Sequence, residues 1–175
     1  SEHIAAGAID LEHMSANSVD SDQYVDGSID AAHISTGAVN IDKITPGYQL
    51  VTIDGQNNTL AGGGTGSSFS GTDAVDNTLI GYNAGTAITT GDNNVAVGVN
   101  ALSSITTNGE CVAVGEEALK NNTVGNATAL GWWAGRANTS GERITAVGRA
   151  ALHANTTGDD NTALGAGALE SNTTA

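Results

Sequence analysis

From residue 77 onward one short phrase returns six times: Asn-Thr-Leu-Ile-Gly (77–81), Asn-Val-Ala-Val-Gly (94–98), Cys-Val-Ala-Val-Gly (111–115), Ala-Thr-Ala-Leu-Gly (127–131), Ile-Thr-Ala-Val-Gly (144–148) and Asn-Thr-Ala-Leu-Gly (161–165). The closing glycines, Gly81, Gly98, Gly115, Gly131, Gly148 and Gly165, stand 17, 17, 16, 17 and 17 residues apart. A short fixed period of this kind marks a solenoid, in which each repeat is one coil that buries its apolar face only against the next. Function therefore has to be argued at the level of a rod.

Composition points the same way. The 175 residues include 24 Gly and one Pro, with 3% aromatic and 14% charged side chains. Burial yields roughly 25 cal/mol per Å² of apolar area, so a chain of Ala, Val, Thr and Gly has to gain area by stacking and by oligomerising. The net charge of −14, with five Lys and Arg in all, argues against nucleic acid and against anionic membrane surfaces. No apolar run approaches the roughly 20 residues of a membrane span. With a single cysteine, Cys111, no intrachain disulfide exists; it fills a slot that is Asn in three other copies and reads as a small buried apolar substitute.

Within the array, the residue three past each repeat glycine is always Ala: Ala84, Ala101, Ala118, Ala134, Ala151 and Ala168. Such uniformity predicts a space-limited inward position. One step on lies a second apolar column of Gly85, Leu102, Leu119, Gly135, Leu152 and Leu169. Each coil then reads as a short strand, a corner, a second short element and a polar turn. In the strand, the residues flanking the central Ala share one face, as Val95 and Val97 do, while the Ala faces the other way. Small inside and larger outside suits a coil that packs its own core with one face and sister chains with the other. Asn77, Asn94 and Asn161 are expected to form polar ladders.

Residues 1–47 carry a different period, of ten, and are read as a stem. One apolar column is Ile4, Met14, Tyr24, Ile34 and Ile44; a second is Ile9, Val19, Ile29 and Val39. Ten is neither a heptad nor an eleven-residue repeat, so this is not a regular coiled coil. Several chains around one axis, taken here as three, give the simplest burial. Residues 48–71 are read as a connector: an alternating strand over 48–54, an irregular first copy of the repeat at Asn58-Thr-Leu-Ala-Gly62, and a glycine-rich loop. The 17-residue array is assigned to 72–175 and is expected to continue, since Ser1 and Ala175 both fall inside repeats.

The final copies, Asn155-Thr-Thr-Gly-Asp-Asp-Asn-Thr-Ala-Leu-Gly165 followed by Ala168-Leu169, resemble repeats of bacteriophage tail fibre and tail spike proteins. The strand phrase is also similar to the head repeat of trimeric autotransporter adhesins, which form trimeric β-rolls. The decapeptide resembles tail-fibre stem repeats. The resemblance implies an all-β, homotrimeric virion fibre that supports host attachment, partnered by other tail proteins and by a host surface glycan or protein. A bacterial trimeric surface adhesin and the shaft of a polysaccharide-depolymerising spike are the alternatives. No catalytic residue carries over, and neither an enzymatic activity nor a cofactor is expected.

Some residues invite chemistry. His3, His13 and His33 share one column of the stem, and three chains could bring each into a three-nitrogen metal ring; the plainer reading, favoured by Gln23 and Lys43 in the same column, is a solvent-facing or hydrogen-bonded position. Asp92, Asp159 and Asp160 beside turn glycines invite Ca²⁺, but read mainly as a solubilising surface. Six Asn-x-Ser/Thr triplets, among them Asn121, Asn126 and Asn138, follow from composition. Trp132 and Trp133 are the sharpest anomaly. They fill two variable slots after a repeat glycine that hold Glu116-Glu117 one copy earlier and Arg149-Ala150 one copy later, which predicts an outer corner. The pair is a receptor-contact candidate; packing against neighbouring loops or a sister chain is the competing reading.

Overall fold

A computed structural model describes Thr52, Ile53 and residues 55–174. The decapeptide stem, with His3, His13 and His33, and most of the strand expected over 48–54 lie outside the described residues.

Eight short strands form one sheet in chain order: β1 (Thr52–Ile53), β2 (Thr59–Ala61), β3 (Thr78–Ile80), β4 (Val95–Val97), β5 (Val112–Val114), β6 (Thr128–Leu130), β7 (Thr145–Val147) and β8 (Thr162–Leu164). β1 pairs antiparallel with β2, and every later pair is parallel. Parallel neighbours require a crossover between them, and the remainder of each repeat supplies it. The fold is a parallel β-solenoid with one strand per coil. Equivalent positions of the repeat fall opposite one another: Val95 faces Val112 and Ala96 faces Ala113. Where the spacing drops to 16, Val112 still faces Thr128; the missing residue is taken up in the turn, where Asn126 N–H reaches the Gly109 carbonyl at 3.2 Å. Asn58–Gly62 forms the first parallel rung, with Thr59 opposite Thr78. The glycine-rich stretch after it traces the same corner, its Gly63 carbonyl accepting from Asn83 N–H at 2.8 Å.

The coils turn through left-handed residues at fixed places. In the coil of Gly98 these are Asn93 (φ 58°), Gly98 (137°), Asn100 (55°) and Leu102 (52°). Gly and Asn tolerate this region best, which accounts for much of the composition. Close approach adds a second demand on the repeat glycine, since a Cβ on Gly98 would lie 2.5 Å from the Gly115 carbonyl oxygen. Leu102, Leu119 and Leu152 hold the strained conformation while fully buried, so hydrophobic burial offsets a conformational cost of about 1–2 kcal/mol at each.

The core is a stack of small layers. The central strand residues Leu79, Ala96, Ala113, Ala129 and Ala146 are buried, as are Ala84, Ala101, Ala118, Ala134 and Ala151, as the uniform Ala column predicts. Large side chains alternate between two sources. Leu60 and Leu79 come from the strand, with Gly66 and Gly85 at the corner slot; Ala96, Ala113 and Ala146 leave that volume to Leu102, Leu119 and Leu152. A Cβ on Gly85 would meet Leu79 Cδ2 at 2.7 Å, which explains the exchange. Ala129 and Gly135 are both small, and Leu119 and Ile144 approach the space above Gly135.

Buried amides obey a similar exchange. Asn58, Asn77 and Asn94, just before the strands, are fully buried opposite Phe69, Ile88 and Ile105; in the next coils Cys111, Ala127 and Ile144 occupy that slot and Asn122, Asn138 and Asn155 lie buried across the core. Either way the amide Nδ2 donates to a carbonyl of the polar turn: Asn77 to Gly91 at 2.9 Å, Asn138 to Gly141 at 2.8 Å and Asn155 to Gly158 at 3.0 Å. Asn77 Oδ1 in turn accepts the Asn94 main-chain N–H at 3.0 Å. Of the strand-side ladder expected from Asn77, Asn94 and Asn161, the first two positions are present, while half-buried Asn161 donates across the core to Asn155 Oδ1 at 3.5 Å; the structure adds a second ladder there. Cys111 marks the handover. Its buried Sγ reaches the Val124 carbonyl at 3.4 Å, and Asn122 Nδ2 donates to that same carbonyl. Burial pushes the Cys111 thiol up, away from the reactive thiolate.

Candidate functional site

Two surfaces depart from a plain polar coat. The first is the outward strand face. Because strand side chains alternate, burying the middle residue turns its two neighbours outward. One column runs Ile80, Val97, Val114, Leu130, Val147 and Leu164; beside it run Thr78, Val95, Val112, Thr128, Thr145 and Thr162. Ile80 is 38% exposed, Leu130 41% and Leu164 79%. The result is a continuous apolar stripe along the rod, larger outside than inside, as the alternation predicts.

The second is the corner after β6, where Trp132 and Trp133 follow Gly131. Main-chain bonds layer this corner between its neighbours: Trp133 N–H donates to the Glu116 carbonyl at 3.0 Å, and Ala150 N–H to the Trp132 carbonyl at 2.8 Å. The two indoles stack with centroids 3.8 Å apart and planes 17° apart. The Arg136 guanidinium lies 5.1 Å from the Trp133 centroid and that of Arg149 lies 5.9 Å from Trp132. No guanidinium fits between rings so close, so the arginines flank the stack from outside. The His153 ring is 5.6 Å from Trp133. Glu117 accepts from Lys120 Nζ and Arg136 Nε, both at 2.5 Å, and the Lys120 bond, followed by Arg136, holds its carboxyl below the usual range.

Trp133 also occupies a left-handed conformation, φ 61°, that Asn83 and Asn100 fill in earlier coils. A bulky residue there is an outlier. The Trp133 Nε1 and His153 Nε2 atoms are buried without a hydrogen-bond partner. Trp132 is 37% exposed, in keeping with the predicted outer corner, and within the chain the pair packs on its own neighbouring coils. Reading along the chain brings Arg136 to this corner, three residues past Trp133, but not Lys120 or His153. Each stands five residues after a repeat glycine, and that alignment is the signal that places them together.

Other candidates are accounted for structurally. Asp92 Oδ1 accepts the Val75 N–H at 2.9 Å, Asp159 Oδ1 accepts that of Glu142 at 2.8 Å, and Asp160 is paired with Arg143 at 2.6 Å. Among the described residues no group of three or more His, Cys, Asp and Glu is placed to hold a metal ion, and no helix is long and apolar enough to cross a membrane. Asn138 and Asn155 begin glycosylation triplets but are fully buried, which closes them to a glycan in the folded coil. Compared with protein-family profiles, curated proteins and solved structures, the chain matches none of them.

Proposed function

We propose that this chain is a shaft segment of a homotrimeric bacteriophage tail fibre, a structural element that holds an attachment device away from the particle and touches the host surface through Trp132 and Trp133. The observation that carries the reading is the apolar stripe from Ile80 to Leu164 on the outward strand face. A contiguous exposed apolar surface marks an association site, and a stripe in register with the coil repeat fits other copies of the same rod. The small inward residues and the net charge of −14 support it, the first by limiting what one chain buries alone and the second by disfavouring nucleic acid.

Two experiments test the reading. In a Val97→Lys/Leu130→Lys variant the charges sit outside the coil, so self-association weakens while the circular dichroism spectrum is kept; association as tight as that of the wild type contradicts a strand-face interface. Antibodies to the chain label fibres on phage particles and block adsorption. Labelling of a bacterial envelope instead would replace the fibre with a surface adhesin.

A further inference from the structure

We infer that the corner built by Trp132, Trp133, Arg136 and Arg149 is a binding site for a carboxylated polysaccharide, an inference that rests on the reading of the tryptophan pair as a receptor contact. The rod is otherwise acidic and repetitive, and this corner is neither. Of the five Lys and Arg in the chain, Lys120, Arg136 and Arg149 gather around one aromatic stack within three consecutive coils. Lys120 and Arg136 are both engaged by the Glu117 carboxylate. Arg149 is exposed and makes no ion pair among the described residues, so its fork of N–H donors is open to a carboxylate.

Location separates this site from the copy-to-copy face. Assembly of identical rods uses features that recur in every coil, as the Ile80 to Leu164 stripe does. The slot of Trp132 holds Tyr82, Val99, Glu116, Arg149 and Ala166 in other coils, so the corner occurs once per chain. Its chemistry selects the ligand class. The indole of Trp132 offers an apolar face to the C–H side of a sugar ring, and Arg149, now resting near that ring, moves onto the sugar's carboxylate. Trp133, held in its left-handed conformation beside His153, keeps the platform rigid. A neutral glycan leaves the guanidinium without a partner, and a chain of net charge −14 repels polyanions everywhere else.

The test uses the assembled chain and immobilised polygalacturonate, polysialate, dextran and dextran sulfate at low and high salt. At least one carboxylated polymer binds, weakens with salt and is preferred to both dextrans. Arg149→Gln and Trp132→Ala each lower affinity tenfold or more, whereas Arg143→Gln, in an exposed ion pair at the polar turn, changes it less than twofold. Equal binding of dextran sulfate with equal sensitivity to Arg143→Gln reduces the effect to charge and overturns the inference. Acrylamide quenching of the tryptophans separates the remaining failures. If Trp132 is accessible in the assembly and neither carboxylated polymer binds, the ligand class is wrong and the receptor reading stands. If Trp132 is shielded and Trp132→Ala dissociates the copies, the corner is a chain-to-chain contact and both fall.

Discussion

Asn138 Nδ2 donates to Asn122 Oδ1, 2.6 Å away in the preceding coil, and both amides are fully buried. The same Nδ2 also holds the Gly141 carbonyl, so one side chain links two coils and closes a turn. Asn138→Ala leaves both acceptors buried and unpaired, at a cost of about 1–3 kcal/mol. Urea unfolding should show that loss, and exposed Asn121→Ala should change stability by less than about 0.5 kcal/mol.

The Leu79 and Gly85 pair offers a sharper test. Leu79→Ala opens a cavity costing about 2–5 kcal/mol, and Gly85→Leu alone drives a side chain into Leu79, whose Cδ2 would lie 2.7 Å from the new Cβ. Together the two changes copy the Ala96 and Leu102 arrangement one coil on. The double variant should therefore recover more than half of the summed loss in a thermal-unfolding cycle. Additive losses would show that volume exchange does not organise the core.

Gly98 is constrained by conformation and by contact. With φ at 137° and the Gly115 oxygen 2.5 Å from where an alanine methyl would sit, Gly98→Ala should cost more than about 3 kcal/mol. Gly55, where no atom lies within 4 Å of an added Cβ, should accept Ala with little change in melting temperature.

Acid should loosen the aromatic corner. The folded Glu117 carboxyl titrates below its ordinary value of 4.5 because Lys120, then Arg136, hydrogen-bond the charged form. A depressed carboxylate contributes stability above the unfolded value and loses it as the pH falls through the folded one. In a His153→Gln background, tryptophan emission should shift as the pH falls below that ordinary value. Glu117→Gln should remove the transition while sharing the wild-type approach to the isoelectric point.

Much of this architecture is legible from the residues because each repeat position has one physical task. The invariant Ala column, the outward pair around each central Ala and the left-handed Asn and Gly positions all follow from a coil stacked on copies of itself. The buried amides are only half legible. Asn77 and Asn94 precede strands and announce a ladder, whereas Asn122, Asn138 and Asn155 sit in turn-like sequence, and the Ile88 and Ile105 that replace them are seen as equivalents only after alignment seven residues past the glycine. The corner is visible at Trp132 and Trp133, and Arg136 stands three residues on in the same coil, but Arg149 and His153 meet the indoles through coil stacking rather than adjacency along the chain.

Whether the outward stripe joins copies of the rod is measured most directly by sedimentation equilibrium of the chain. The expected result is one species of three times the 17.4 kDa chain mass, held more weakly in Val97→Lys/Leu130→Lys. A wild-type chain that remains a 17.4 kDa monomer at every concentration would contradict the trimeric rod.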